Sequence, residues 1–134
     1  MATIQHLKPR GLAEAHGYTH VVTAAGGTTI YIAGQGAYDE QHQLVGAGDH
    51  YAQTKQAYRN LCAALAGAGA TPANIVKSTI YVVGLTDAAL GDFSKAMEQG
   101  WDGRAMPPTA ATLVGVERLA FKEMLVEIDA IAVV

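Results

Sequence analysis

The stretch Met106-Pro107-Pro108-Thr109-Ala110-Ala111-Thr112-Leu113-Val114-Gly115-Val116, followed by Met124-Leu125-Val126-Glu127-Ile128-Asp129-Ala130-Ile131-Ala132-Val133-Val134, reads as two strands joined by a short polar excursion. The second is apolar apart from two acids, Glu127 and Asp129. Side chains alternate along a strand, so these acids share one face with Leu125, Ile131 and Val133. Val126, Ile128 and Ala130 take the other. The acid face is therefore mixed, and two readings stay open: a solvated face, or acids aimed into a site. A carboxyl group among apolar neighbours holds its proton more tightly and can act as a general acid or base.

Working outward, the chain before this block reads as strands and two helices. Ile4 to Pro9 fits a short edge strand ended by Pro9 and Gly11. Val21 to Ala24 and Thr28 to Ala33 read as a hairpin closed by Gly26-Gly27. Asp49 is a good helix cap, and Tyr51, Thr54, Tyr58, Leu61, Leu65 and Ala68 recur at helical spacing up to Gly69. Thr71-Pro72 starts a short turn, and Ile75 to Val83 is a strand. Thr86 or Asp87 caps a second helix with Leu90, Phe93, Met97 and Trp101 on one stripe. Thr29-Ile30-Tyr31-Ile32-Ala33-Gly34 echoes Thr79-Ile80-Tyr81-Val82-Val83-Gly84, and each is followed by a loop and a helix. The pattern predicts an α+β sandwich with both helices on one face of a mixed sheet. Ile30, Ile32, Tyr31 and Ala33 fill both faces of their strand, so the uncovered face is expected to be apolar and to self-associate.

Composition narrows the function. The 134 residues make one domain, 1–134, and half of them are hydrophobic. Net charge is −3, which argues against a nucleic-acid surface. No stretch is apolar for long enough to span a membrane, and none reads as a secretion signal. The single cysteine, Cys62, suits a reducing compartment, and the cytoplasm is the expected location. Cys62 sits beside the apolar helix stripe without a local cation, which marks a structural thiol rather than a nucleophile. His16 and His20 are four apart, but Gly17 and the β-branched run after it argue against a helix, so no metal site is expected. Gly34-Gln35-Gly36 lacks the later glycine and the adjoining helix of a phosphate loop and is read as a strand end, with Gln35 as a polar side chain there.

Several pieces in fixed order resemble the RidA/YjgF family of enamine and imine deaminases: Gly17-Tyr18-Thr19-His20, Ile30-Tyr31-Ile32-Ala33-Gly34-Gln35, Gln53 to Asn60-Leu61 and Ala68-Gly69-Ala70, Val76 to Val82, and Val126 to Ala132. The resemblance covers nearly the whole chain. It implies a chorismate-mutase-like α+β fold with a mixed six-stranded sheet and two helices on one face. It also implies a homotrimer with a central barrel of sheets and three sites at the subunit interfaces. The chemistry it implies is hydrolysis of a reactive imine or enamine to a carbonyl compound and ammonia, with no cofactor. Its small-molecule substrate is a 2-imino or enamine acid.

Carried over by position, the family's tyrosine and glutamate fall on Tyr18 and Glu127, the implied catalytic residues. The implied substrate-binding positions depart more. Ala33 stands where a serine is usual, just before Gly34-Gln35. Asp92 replaces an asparagine, and Leu113 a cysteine. Ala111 replaces the arginine that clamps the substrate carboxylate, with Thr112 between the two. A guanidinium grips a carboxylate through two charge-assisted bonds, and alanine offers none. Arg104 is the nearest cation in sequence that could serve instead; Arg118 matches a structural arginine. The expected function is therefore cofactor-independent hydrolysis of a less charged or larger imine or enamine than 2-iminopropionate. The alternative is a trimer that binds a metabolite without turning it over.

Overall fold

The computed structural model describes residues 1–134, the whole chain. Helix α1 runs from His50 to Gly67. It starts at Asp49, whose carboxylate accepts from the Ala52 N–H at 3.0 Å, and it stops ahead of Gly69, which has a φ of +75°. Helix α2 spans Asp87–Met97 and is capped by Thr86, whose hydroxyl accepts from the Ala89 N–H at 3.1 Å. It ends earlier than its apolar stripe suggests: Trp101 lies beyond it, in a turn that bridges back to Arg104.

Six strands are present: β1 (Thr3–Leu7), β2 (Val21–Ala25), β3 (Thr29–Gln35), β4 (Ile75–Val83), β5 (Ala110–Val116) and β6 (Val126–Val133). A single 3₁₀ turn at Pro72–Asn74 leads into β4. The fold is α+β, with a mixed sheet ordered β3-β6-β4-β5 in which only the β4–β5 pair is parallel. The six strands do not form one sheet. β1 and β2 make a separate two-stranded ribbon. The hairpin expected between β2 and β3 does not close either. The Thr28 N–H donates to the Val134 carbonyl at 2.7 Å instead, and β3 pairs with β6.

Paired positions share a face, so register assigns every strand residue to a side. Ser78, Ile80 and Val82 of β4 face the helices with Val126, Ile128 and Ala130 of β6 and Ala111 and Leu113 of β5. Leu61, Leu65 and Phe93 close that side as the core. The opposite face carries Lys77, Thr79, Tyr81, Thr112, Glu127 and Asp129 among Tyr31, Val114 and Ile131. It is mixed rather than apolar, because each strand there supplies a polar residue. Accessible surface is 7701 Å², against about 6,700 Å² for a compact monomer of this mass. Much of the ribbon lies exposed: in both β1 and β2 only the second residue, Ile4 and Val22, is even half-buried.

Candidate functional site

A predominantly apolar cavity lies between α2 and the edge strand β5, with a volume of ≈ 320 Å³. Its floor is Ser78 and Ile80 of β4 with Ala111 and Leu113 of β5; Leu90, Phe93 and Met97 of α2 form its roof. His16, Gly17 and Tyr18 stand at one end. Their loop is tied to β5 by the Thr19 N–H, which donates to the Thr109 carbonyl at 2.9 Å. Gly17, at φ +80°, brings the loop down on Met97. The lining is predominantly apolar and contains no lysine, arginine, aspartate or glutamate. Its polar groups are hydroxyls and His16. The Thr109 hydroxyl already donates to the Ile75 carbonyl at 2.9 Å, and Ser78 donates to the Asp129 carbonyl at 2.7 Å.

Of the residues singled out by sequence, the structure brings Tyr18, Ala111 and Leu113 to this cavity. The others lie elsewhere. Arg104 does not line it; its guanidinium lies 4.2 Å over the Trp101 ring, a cation–π contact. Asp92 is half-buried on α2 outside the lining. Thr112 points to the opposite face, where its hydroxyl accepts from Lys77 Nζ at 3.2 Å. Gln35 ends β3, its amide donating to the Ala33 carbonyl at 3.1 Å, and it borders a separate open polar cleft with Tyr38, Arg59 and Asn60.

Glu127 is on the far side of the sheet from the cavity. It is half-buried on β6 opposite Tyr81. The two acids differ in their surroundings. Asp129 accepts from the Thr79 backbone N–H at 2.9 Å and from the Tyr81 hydroxyl at 3.5 Å, so it is committed to holding β4. Glu127 packs flat against Gly34 of β3: a Cβ at residue 34 would lie 2.7 Å from its Cδ. Gly34 therefore does more than end a strand. A glycine inside a strand signals close approach by another group, and here that group is the Glu127 carboxylate.

Cys62 is half-buried on α1, and burial, reinforced by Asp102, pushes its thiol up to about 11. It is an inert thiol, as its surroundings in sequence imply.

The family described as Endoribonuclease L-PSP matches residues 9–134. A RutC family protein of Pyrococcus abyssi is 38% identical over 108 residues, covering 79% of each chain. A RutC family protein of Synechocystis is 36% identical over 117 residues, covering 87% of this chain and 85% of the relative. Among solved structures, the Rid family protein YyfB of Yersinia pestis, itself of unknown function, superposes with a TM-score of 0.88 at 35% identity, covering 98% of both chains. The match in sequence over nearly the full length, together with the superposition on a Rid family structure, places this chain in the RidA/YjgF family.

Proposed function

We propose that the protein is a cofactor-independent hydrolase of a weakly charged imine or enamine. The supporting observation is the α2–β5 cavity, where Ala111 and Leu113 lie together under an apolar roof without a cation. Such a site desolvates an apolar substrate at little cost but offers nothing to offset the desolvation of a carboxylate. The reaction is R₂C=NH + H₂O → R₂C=O + NH₃. Water adds to the carbon, and the resulting carbinolamine expels the nitrogen as ammonia. Glu127 takes a proton from the water and returns one to the departing nitrogen, and the Tyr18 hydroxyl stands at the cavity mouth. Within one protomer Glu127 and the cavity are on opposite sheet faces, so the glutamate of a second copy completes the site. The assembly of three copies implied by the family would supply such a neighbour.

That separation also favours a second reading, a binding protein without turnover. One experiment divides the two. A dehydratase generates 2-iminopropionate in one reaction, and an uncharged aliphatic imine is supplied in another; carbonyl release is followed with and without the protein. The hydrolase reading expects acceleration of the uncharged imine, little of 2-iminopropionate, and a loss of about 10²–10⁴-fold in Glu127→Gln. Tight binding of the imine with no acceleration establishes the second reading. Equal activity of wild type and Glu127→Gln removes the glutamate from the mechanism. The low net charge of the chain gives no support to a ribonuclease role.

A further inference from the structure

We propose that the Tyr58 hydroxyl is a ligand-binding group of the α2–β5 cavity. It donates to the lone pair of an imine-type nitrogen, whose own N–H is accepted by the Ser78 or Thr109 hydroxyl. This deepens the reading above and rests on its cavity, not on turnover. Three other tyrosines show what such a hydroxyl ordinarily does in this chain. Tyr38, Tyr51 and Tyr81 donate to the side chains of Glu123, Gln99 and Asp129. Tyr58, on α1, is buried more deeply than any of them, at 5% exposed, yet its hydroxyl bonds to no protein atom. A buried phenol normally finds a partner, because leaving water without one is costly.

The fold leaves no fully enclosed side-chain oxygen or nitrogen without a partner, so the Tyr58 oxygen faces open space. Tyr58 lines the α2–β5 cavity and no other cleft of the molecule. Its hydroxyl is therefore a free donor in the cavity wall. The ring that carries it is held in place. Phe93 of α2 stands against it with ring centroids 6.0 Å apart and planes tilted by 46°. Gly100 closes on it as well: a Cβ at residue 100 would lie 3.1 Å from the Tyr58 Cβ and Cδ2. A donor fixed before the ligand arrives lowers the ordering cost of binding. Burial, with Cys62 adding to it, pushes the phenol well above the ordinary tyrosine value, so the O–H persists at neutral and moderately alkaline pH.

The buried hydroxyls of the cavity floor have the opposite character. A serine or threonine hydroxyl has one hydrogen to donate and two lone pairs. Ser78 gives its hydrogen to the Asp129 carbonyl, and Thr109 gives its hydrogen to the Ile75 carbonyl. Both residues are buried, so lone pairs are what they present to a ligand. One free donor and two acceptor-only oxygens suit a group that accepts and donates at once. An imine nitrogen is such a group, with one lone pair and one N–H. A carbonyl oxygen only accepts, so the product of hydrolysis loses the Ser78 or Thr109 bond and is held less tightly. A carboxylate would set its own lone pairs against theirs. The Tyr58 bond also draws electron density from the C=N bond, which opens the carbon to water.

Isosteric bicyclic probes test this by calorimetry on the full chain. Indazole has an N–H beside a lone-pair nitrogen, indole has the N–H alone, and benzofuran has no N–H. Wild type should bind indazole about fivefold tighter than indole, and indole about fivefold tighter than benzofuran. Tyr58→Phe should bring indazole down to the affinity of indole and leave indole unchanged. Its urea midpoint should be no lower than that of wild type, since no protein group loses a partner. Wild-type affinities for indazole and indole within about twofold of each other overturn the proposal, and that comparison requires no variant to fold. An indazole preference retained in Tyr58→Phe also overturns it. So does a lowered urea midpoint, which would show the hydroxyl already engaged by a bound water. Indole binding no tighter than benzofuran removes Ser78 and Thr109 from the site. An indazole preference without imine hydrolysis refutes the reaction and leaves the Tyr58 site standing; hydrolysis without the preference does the reverse.

Discussion

Replacing Ala111 by leucine should stabilise this protein, which is the reverse of the usual result of enlarging a residue in a packed core. Ala111 lies on the cavity floor on β5, opposite Ser78. Leucine adds three carbons, and at about 0.8 kcal/mol for each carbon removed from water the gain is about 2.4 kcal/mol. Ordering the longer side chain costs about 0.5–1 kcal/mol. A net stabilisation of about 1–2 kcal/mol follows, because a space of ≈ 320 Å³ accepts the added carbons without forcing its walls apart. The same carbons occupy room that the proposed ligand needs, so affinity for an apolar probe such as indole should fall at least tenfold. Urea denaturation of wild type and Ala111→Leu, followed by probe titration, measures both. A destabilisation of more than about 1 kcal/mol would mean the walls are already in contact, as in overpacked cores. The cavity would then not be the ligand site. Stabilisation with unchanged probe binding would place the ligand elsewhere.

Three further outcomes follow from particular contacts. Gln53 is fully buried; its amide donates to the Gly46 and Glu123 carbonyls, and its oxygen accepts from the Leu125 N–H at 2.8 Å. Gln53→Ala should therefore cost about 3–5 kcal/mol in urea denaturation, since three backbone groups lose their partner; a cost under about 1 kcal/mol would show that water replaces it. Gly34→Ala places a methyl 2.7 Å from Glu127 Cδ and should displace the carboxylate, with about 10–100-fold loss of imine hydrolysis for at most about 1–3 kcal/mol of stability; full activity would refute the placement of Glu127. Burial raises the Cys62 thiol to about 11, so its contribution to stability is complete below pH 9, where it is protonated folded and unfolded alike. It is lost between about pH 9 and 11, as the unfolded chain ionises first. Because the thiol is only half-buried the loss is about 1–2 kcal/mol, and it should be missing from Cys62→Ala when denaturation midpoints are compared at pH 7 and 10.5.

Some of this structure could be read from local chemistry, and some could not. Asp49 and Thr86 cap the two helices because each offers a side-chain oxygen to an N–H that the helix leaves unpaired. That requirement is local, so the sequence carries it. The Gly26-Gly27 turn carries its conformational signal equally well, and both residues do have positive φ. What the turn connects is not local. The Thr28 backbone finds Val134, 106 positions away in the chain, and β3 takes its partner from there. Trp101 belongs to the helix pattern by spacing, but Glu98 caps α2 and the chain turns at Gly100 before it. Asp102, at φ +48°, and Gly103, at +83°, then bring Arg104 back over the indole ring. Arg104 precedes Ala111 by only seven positions in sequence, and that stacking is what holds it away from the cavity lining.

The division of the site across the sheet is the most instructive case. Glu127 and Ala111 never occur on one strand, so the period of two cannot relate them until both are referred to β4. Register does this: Tyr81 opposes Glu127, and Ser78 opposes Ala111. Residues 78 and 81 are an odd number apart, so they face opposite ways. The acid and the missing clamp are therefore on opposite faces for any side-chain conformation, and no rotamer change within one protomer brings them together. A sequence states which residues a site could use; the parity of the register decides whether one chain can use them at once. Here it cannot. If Glu127 is the acid of the proposed hydrolysis, it has to come to the Ala111 cavity from a second copy, and a monomeric variant with both residues intact should then bind apolar probes in the cavity yet hydrolyse no imine.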